Sequence, residues 1–523
     1  MADEAPDANA TPWRRKPARF GSGSVVLAPT WVLTLDQAGR LVLRTDHEIV
    51  VVDDRIDEIR PARATVDQRI DLPGQVLLPG FISAHSHTGA GALTRGYIEG
   101  NLTPMARAAP PRPGRQFLRA MELMDDLTAE DLDSVTALSL LEMLRSGCTT
   151  QVEMSTSQFQ MQSYVRMAVE LGARGFPSAG VPTMRRILPI WKRGTDDQIL
   201  FDSVPQTLAE IAGCLDYGLS VDGAGDGRIR PMMAIAHPMA HTPQTVVATM
   251  QAAERLHGLH IHLQAGYGGP PTPVTEALHR LWGLDEIPWL SSLGMFDGSL
   301  RIFGAHLLGI DFRRDLPILA ACDTFTFANC PSGTGAGVTP GQWPWPEALA
   351  AGVNSGIGLD THSNDYLENL KLAVIYGRAR ADLLGDTSAV PMVRPSILTA
   401  IEAATLSAAK GLGRPDLGRI QVGAQADLIT VDVSGLLVGA GSAAREPLNH
   451  LMYANGLAVR NVMVAGRWQL RDGRAVAVDE ARLRQRAGAV VAQVWDALDT
   501  LGVFHDQPTE DHIPAGIHRH RTD

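Results

Sequence analysis

The tightest constraint on the fold is an alternation: between residues 78 and 410, short apolar runs that read as strands are separated by stretches of helical periodicity. Runs at 76–82, 232–236, 260–263 and 302–305 have strand character, while 132–145 and 245–256 repeat apolar residues at helical spacing. Strands that alternate with helices form a parallel sheet, since each crossover returns the chain to the same end, and closure into a barrel is the common solution. The flanks differ. Residues 23–79 carry short β-branched runs at 24–27, 31–35, 41–43, 49–52, 70–72 and 76–78 broken by turn residues, which predict a small antiparallel sheet. Residues 418–433 and 459–475 repeat that character, so the two ends are expected to fold together. The expected architecture is α/β: a (β/α)8 TIM barrel over 78–410 with a composite β-sandwich from 21–77 and 411–477. A tail is expected at 1–20, a helix at 478–505 and a second tail at 506–523. Leu483, Ala487, Val490, Val491, Val494, Trp495 and Leu498 share one face of that helix. His512, His518 and His520 in the last tail read as solvated.

A net charge of −11 over 523 residues argues against nucleic acid and anionic membranes as partners, because both demand clustered Lys and Arg. A small neutral or cationic substrate fits better. Cys148, Cys214, Cys322 and Cys330 show no C-x-x-C spacing, and reduced thiols are the expectation. Arg14, Arg15 and Lys16 are followed by no apolar segment of signal-peptide type, and no run reaches membrane-spanning length. A cytoplasmic protein is expected.

The chemistry centres on Leu78-Pro-Gly-Phe-Ile-Ser-Ala-His85-Ser-His87. Alternate residues of a strand share a face, so His85 and His87 point one way and two imidazoles reach one ion. Leu259-His260-Ile-His262 repeats the alternation, Phe303-Gly-Ala-His306 ends the next strand, and Gly-Ile-Gly-Leu-Asp360 ends a strand predicted at 354–359. Side chains where barrel strands hand over to loops are the usual catalytic positions. Imidazoles with one carboxylate suit Zn²⁺ with an open position, and Fe²⁺ is the alternative. Such an ion lowers the pKa of bound water to about 7, and Asp360 is placed to move the proton.

In this order of motifs the sequence resembles the amidohydrolase superfamily, in the branch of S-adenosylhomocysteine deaminase, guanine deaminase and the triazine hydrolases. Arg95-Gly, Ser146-Gly-Cys-Thr-Thr-Gln-Val, Asn329-Cys-Pro-Ser, Ala351-Gly-Val-Asn-Ser-Gly-Ile-Gly-Leu-Asp and Gly423-Ala-Gln-Ala-Asp427-Leu extend the likeness over most of the chain. The resemblance implies one metal on His85, His87, His262 and Asp360, with His306 beside the bound water. It also implies a homodimer or higher homo-oligomer. A second branch bridges two metals with a carbamylated lysine on the fourth strand, but residues 228–236 hold no lysine, so a single metal is expected. One departure matters. The deaminase-like branch carries a proton-shuttling glutamate three residues after the third metal histidine, where this chain has Ala265. Asp360, His237 or His362 is left as the candidate acid. Substrate contacts are expected from Arg95 and Tyr97 in the first βα loop, from His237 and His362, and from Trp345 beside Trp343 as an aromatic lid; 184–220 is read as an insertion shaping the mouth. The reading is hydrolysis at a C–N bond of a small nitrogen heterocycle, with amide or cyclic-amide cleavage and a catalytically silent relative as alternatives.

Overall fold

The computed structural model describes residues 12–14, 23–63, 68–94, 120–183, 185–187, 197–265, 272–333, 343–439 and 445–500. Eight parallel strands follow one another around a barrel: β6 (Phe81–Ser86), β7 (Cys148–Ser155), β8 (Arg174–Val181), β9 (Met233–Ile235), β10 (Leu259–His262), β11 (Ile302–Ala305), β12 (Phe325–Asn329) and β13 (Ser355–Ile357). The ring closes at the residues of interest. Leu359 and Asp360 donate their N–H groups to His85 O at 2.8 and 3.1 Å, His87 N–H donates to Asp360 O at 3.2 Å, and Ser86 and Asp360 form a parallel bridge. Helices such as Ala129–Arg145, Gln158–Leu171 and Tyr366–Leu384 follow their strands. No helix among the described residues is long and apolar enough to cross a membrane.

Both ends of the chain build one nine-stranded sheet from β1 (Val25–Leu35), β2 (Leu41–Thr45), β3 (His47–Val52), β4 (Arg55–Pro61), β5 (Arg69–Pro79), β14 (Leu428–Asp432), β15 (Val459–Val464), β16 (Arg467–Arg471) and β17 (Arg474–Ala475). The antiparallel expectation needs correction, because β1 and β5 at its centre run parallel. The sheet curls until the turn between β3 and β4 meets the segment before β14: Ile56 N–H donates to Ala424 O at 2.9 Å and Ala426 N–H to Asp54 O at 2.8 Å. Leu27, Val32, Ile49, Leu77, Leu428 and Met463 are buried together inside the resulting sandwich. Alternate side chains such as Leu33, Val76, Leu78, Ile429 and Val462 belong to the main core shared with the barrel, as a two-sided sheet requires.

The apolar run at 76–82 reads as one strand, yet it divides at Gly80 into β5 of the sandwich and β6 of the barrel. A Cβ at Gly80 would stand 2.2 Å from Thr149 Oγ1, so only glycine lets the chain turn there against β7. A second joint is the pair Arg174–Asp427, two hydrogen bonds of 2.8 and 3.0 Å between side chains each 3% exposed. It ties the start of β8 to the start of β14. The last helix, Glu480–Thr500, buries Leu483, Ala487, Val490, Val494 and Leu498, and Trp495 Nε1 donates to Leu93 O at 2.9 Å, so its expected face is a packing face.

Candidate metal centre

His85 and His87 leave the end of β6 on one side, and His262 arrives from the end of β10. Nitrogen atoms of the three rings lie within 4.8 Å of one another, and His85 Nε2 is 3.3 Å from His262 Nε2. Asp360 Oδ1 stands 3.8 Å from His85 Nε2 and 3.9 Å from His87 Nε2, and its Oδ2 is 4.0 Å from His306 Nε2. Ligands on a tetrahedral ion about 2.0–2.2 Å away are roughly 3.3–3.6 Å apart. The separations of 3.3 Å between two imidazoles and of 3.8 and 3.9 Å to Asp360 Oδ1 stand close to this spacing, and the four residues fit a shared cation. Burial favours the neutral form of three rings: His85 and His262 are held well below the usual imidazole range by loss of solvent and then by mutual repulsion, and His306 is lowered by burial against the pull of Asp360.

The remaining ring nitrogens explain why the inward ones are free. His87 Nδ1 is 2.5 Å from Met154 O and His262 Nδ1 is 2.9 Å from Ala236 O; a carbonyl only accepts, so both Nδ1 atoms carry the proton. Each Nε2 lone pair is thereby directed at the centre. His85 Nδ1 instead faces His260 Nε2 at 2.7 Å. A lone pair on His85 Nε2 requires the proton on Nδ1, which makes His260 the acceptor. Burial drives His260 down to about 3, consistent with a neutral acceptor. Its alternation with His262 was the signal; the strand end decides that His262 faces the centre and His260 stands behind His85.

Glu153, in β7, is not singled out by the sequence, because its partners Ser86 and Thr88 lie 67 and 65 residues away. It accepts from Ser86 Oγ at 2.8 Å, Thr88 Oγ1 at 2.6 Å and Thr88 N at 2.9 Å, which pins the chain on either side of His87. Burial pushes its carboxyl up, opposed by these donors. Backbone conformation is also special at the rim: His306, Leu307 and Asp360 have φ of 76°, 49° and 56°, the left-handed region that residues other than glycine seldom enter. Gly333, after β12, lies against Asp360, where a Cβ would come within 1.9 Å of Oδ2.

His237 joins the group, its ring 5.4 Å from that of His262 and its Nδ1 3.5 Å from Gln264 Nε2; burial lowers it to about 3. His362, two residues past Asp360, lies half-buried and lines a cavity of about 590 Å³ with Ser332 and Asn364. Asp365 caps the next helix, accepting Glu368 N–H at 3.2 Å. Trp345 is not a lid. It is 1% exposed in the main core, packed near Gly377, while Trp343 Nε1 donates to Asn329 Oδ1 at 2.5 Å. Its apolar surface is used up by the helix Tyr366–Leu384. Arg95, Tyr97, residues 184 and 188–196 and His512, His518 and His520 lie outside the described residues, while the rest of the 184–220 segment is largely helical, in Asp197–Asp202 and Val204–Val221.

Parallel strands closed into a ring, with histidines and an aspartate converging at one rim, define a barrel built around a metal-type centre. Residues 76–469 match the amidohydrolase family, and the chain belongs to it. It is 28% identical over 481 residues to the 5-methylthioadenosine/S-adenosylhomocysteine deaminase of Haloarcula marismortui, covering 90% of this chain and 97% of the relative. The 8-oxoguanine deaminase of Pseudomonas aeruginosa is 27% identical over 477 residues, with 87% and 95% covered. Among solved structures, a zinc complex of atrazine chlorohydrolase from Arthrobacter aurescens superposes with a TM-score of 0.71 at 21% identity, covering 89% and 100%. A zinc-bound adenosine deaminase from Xanthomonas campestris gives 0.68 at 20%, covering 91% and 98%.

Proposed function

We propose that this protein is a zinc-dependent hydrolase that cleaves a C–N bond of a small, nitrogen-containing heterocycle. The carrying observation is the convergence of His85, His87, His262 and Asp360, with each outward Nδ1 of His87 and His262 tied to a carbonyl. These residues would hold one ion per chain; imidazole and carboxylate donors suit Zn²⁺, with Fe²⁺ second. A Zn²⁺ bound there supplies an electrophile that makes water a nucleophile at neutral pH. Asp360 accepts that water's proton on its carboxylate, and His306, facing Oδ2, keeps the carboxylate turned toward the reacting water. His237 and His362 would line the approach, and Arg95 and Tyr97 are proposed as further substrate contacts. Relatives named as deaminases of purine-type compounds support the substrate class.

A second reading is cleavage of an amide or cyclic amide, for which Asp360 alone could carry the water's proton to the leaving nitrogen without a carboxyl at position 265. An ammonia-release screen across purines, pterins, triazines and N-acyl compounds separates the two: ammonia from a heterocycle supports the first, and product without ammonia supports the second. We further infer a cytoplasmic location, which the four buried free cysteines support, and a homodimer or higher homo-oligomer, as the family resemblance implies.

A further inference from the structure

A sulfur stands at the same rim as the imidazoles. His306 follows β11 and Cys330 follows β12, and one carbonyl holds both: Ala328 O accepts the His306 N–H at 3.2 Å and the Cys330 thiol at 3.5 Å. Cys330 is fully buried. A Cβ at Gly358 would come within 2.8 Å of its Sγ and 3.0 Å of His85 Cβ, so the bare backbone there is what lets sulfur and His85 flank one gap. Ligand atoms of His85, His306 and Cys330 lie within 4.8 Å of one another, the same bound that gathers His85, His87 and His262. The His306 ring is 7% exposed and stands 4.0 Å from Asp360 Oδ2, too far for a hydrogen bond, and it makes none among the described residues. A buried ring left without a partner is costly unless something binds it. The two groups also share His85, whose Nδ1 is taken by His260 at 2.7 Å, so Nε2 alone is left to meet an ion. One ion can therefore sit with His87 and His262 or with His306 and Cys330, and two cannot be held at once.

We propose that Cys330, with His85 and His306, forms a second position for the same ion, one that a thiophilic cation takes in preference to the position at His87 and His262. The proposal rests on the metal-centre reading above. Thiolate sulfur is a softer donor than imidazole or carboxylate, so the cation decides which position is filled. Zn²⁺ accepts both kinds of donor, and the four offered by His85, His87, His262 and Asp360 outnumber the three of the sulfur set. Cd²⁺ prefers sulfur and moves to it. On binding, the S–H bond of Cys330 breaks, its proton goes to solvent, and the sulfur lone pair forms the bond to the ion, with nothing oxidised or reduced. An ion held this way leaves His87 and His262 without a metal, so a thiophilic cation displaces zinc without taking over its place.

The test uses the full chain, freed of metal and titrated with Cd²⁺, and reads the ultraviolet thiolate-to-cadmium charge-transfer band together with the cadmium bound per chain. Wild type is expected to show the band and to saturate at one cadmium. Cys330→Ser, nearly isosteric, is expected to lose the band while keeping wild-type zinc affinity in competition with a chromophoric chelator. His87→Ala is expected to do the reverse: the band stays, and the zinc Kd rises at least about tenfold, since losing even a partner behind a metal-bound histidine costs that much. Circular dichroism of each variant confirms that the fold is kept. Cadmium bound without the band, a band that survives Cys330→Ser, or a band lost in a folded His87→Ala would overturn the proposal. So would two cadmium ions per chain. Wild type that binds Zn²⁺ but shows no cadmium band fails the sulfur position and leaves the zinc centre standing, whereas wild type that takes up neither ion sinks both.

Discussion

Replacing His260 with leucine removes the acceptor that His85 Nδ1 meets at 2.7 Å while keeping the site apolar and nearly filled. Both rings are 0% exposed, so no water takes the acceptor's place. A buried N–H left without a partner costs about 1–3 kcal/mol. Loss of an outer hydrogen bond to a metal-bound histidine typically weakens binding 10–100-fold, which is about 1.4–2.7 kcal/mol. The two figures agree because they describe one event: with its N–H unsatisfied, the His85 ring no longer holds its inward lone pair in place. Competition for Zn²⁺ against a chromophoric chelator at neutral pH reads the change directly. His260→Leu is expected to raise the zinc Kd by 10–100-fold, and His260→Gln, whose side-chain oxygen still accepts, by distinctly less. Zinc binding by the leucine variant as tight as wild type, or equal losses in the two variants, would refute the assignment of His260 as the acceptor that sets the His85 tautomer.

Asp427→Ala strands the buried Arg174 guanidinium and should lower unfolding free energy by about 3–5 kcal/mol in urea titration, whereas replacing both partners with apolar residues should recover much of that loss. Glu286 predicts a pH dependence. The folded carboxyl is raised from 4.5 to about 8, so the unfolded chain gives up this proton first, and the contribution is complete below about 4.5 and lost as pH rises to about 8. At 1.36 kcal/mol per unit, that shift sets an upper bound of about 5 kcal/mol. Wild type should therefore lose stability relative to Glu286→Gln across that window in thermal melts, and parallel curves for the two proteins would show that Glu286 is ionised when folded.

Much of the barrel is legible because strand and helix periods differ and the runs at 76–82, 232–236, 260–263, 302–305 and 354–359 stand out; β7, with its polar Cys-Thr-Thr-Gln-Val-Glu, and β8 and β12 are not marked in the same way. His85 and His87 are legible as a pair for the same reason: a period of two puts them on one face. Gly80 hides the boundary between the two sheets, because an apolar run has the same pattern whether it continues in one sheet or changes to another. The parallel pairing of β1 with β5 is equally invisible, since periodicity carries no strand direction. Within the site, what stays hidden is whatever depends on distance in space. Glu153 sits on ordinary strand sequence, and only the folded chain brings it beside Thr88. Trp345 misleads in the opposite sense, because an aromatic pair in a rim loop looks the same whether it faces ligand or core.

The most direct measurement of the central claim is metal content by inductively coupled plasma mass spectrometry of the purified wild type, His87→Ala and Asp360→Asn after equilibration with Zn²⁺ and gel filtration. The account predicts about one zinc per chain in the wild type and a large loss in both variants without loss of fold by circular dichroism. Wild type that retains no metal, or variants that retain as much as wild type, would contradict a centre built from His85, His87, His262 and Asp360.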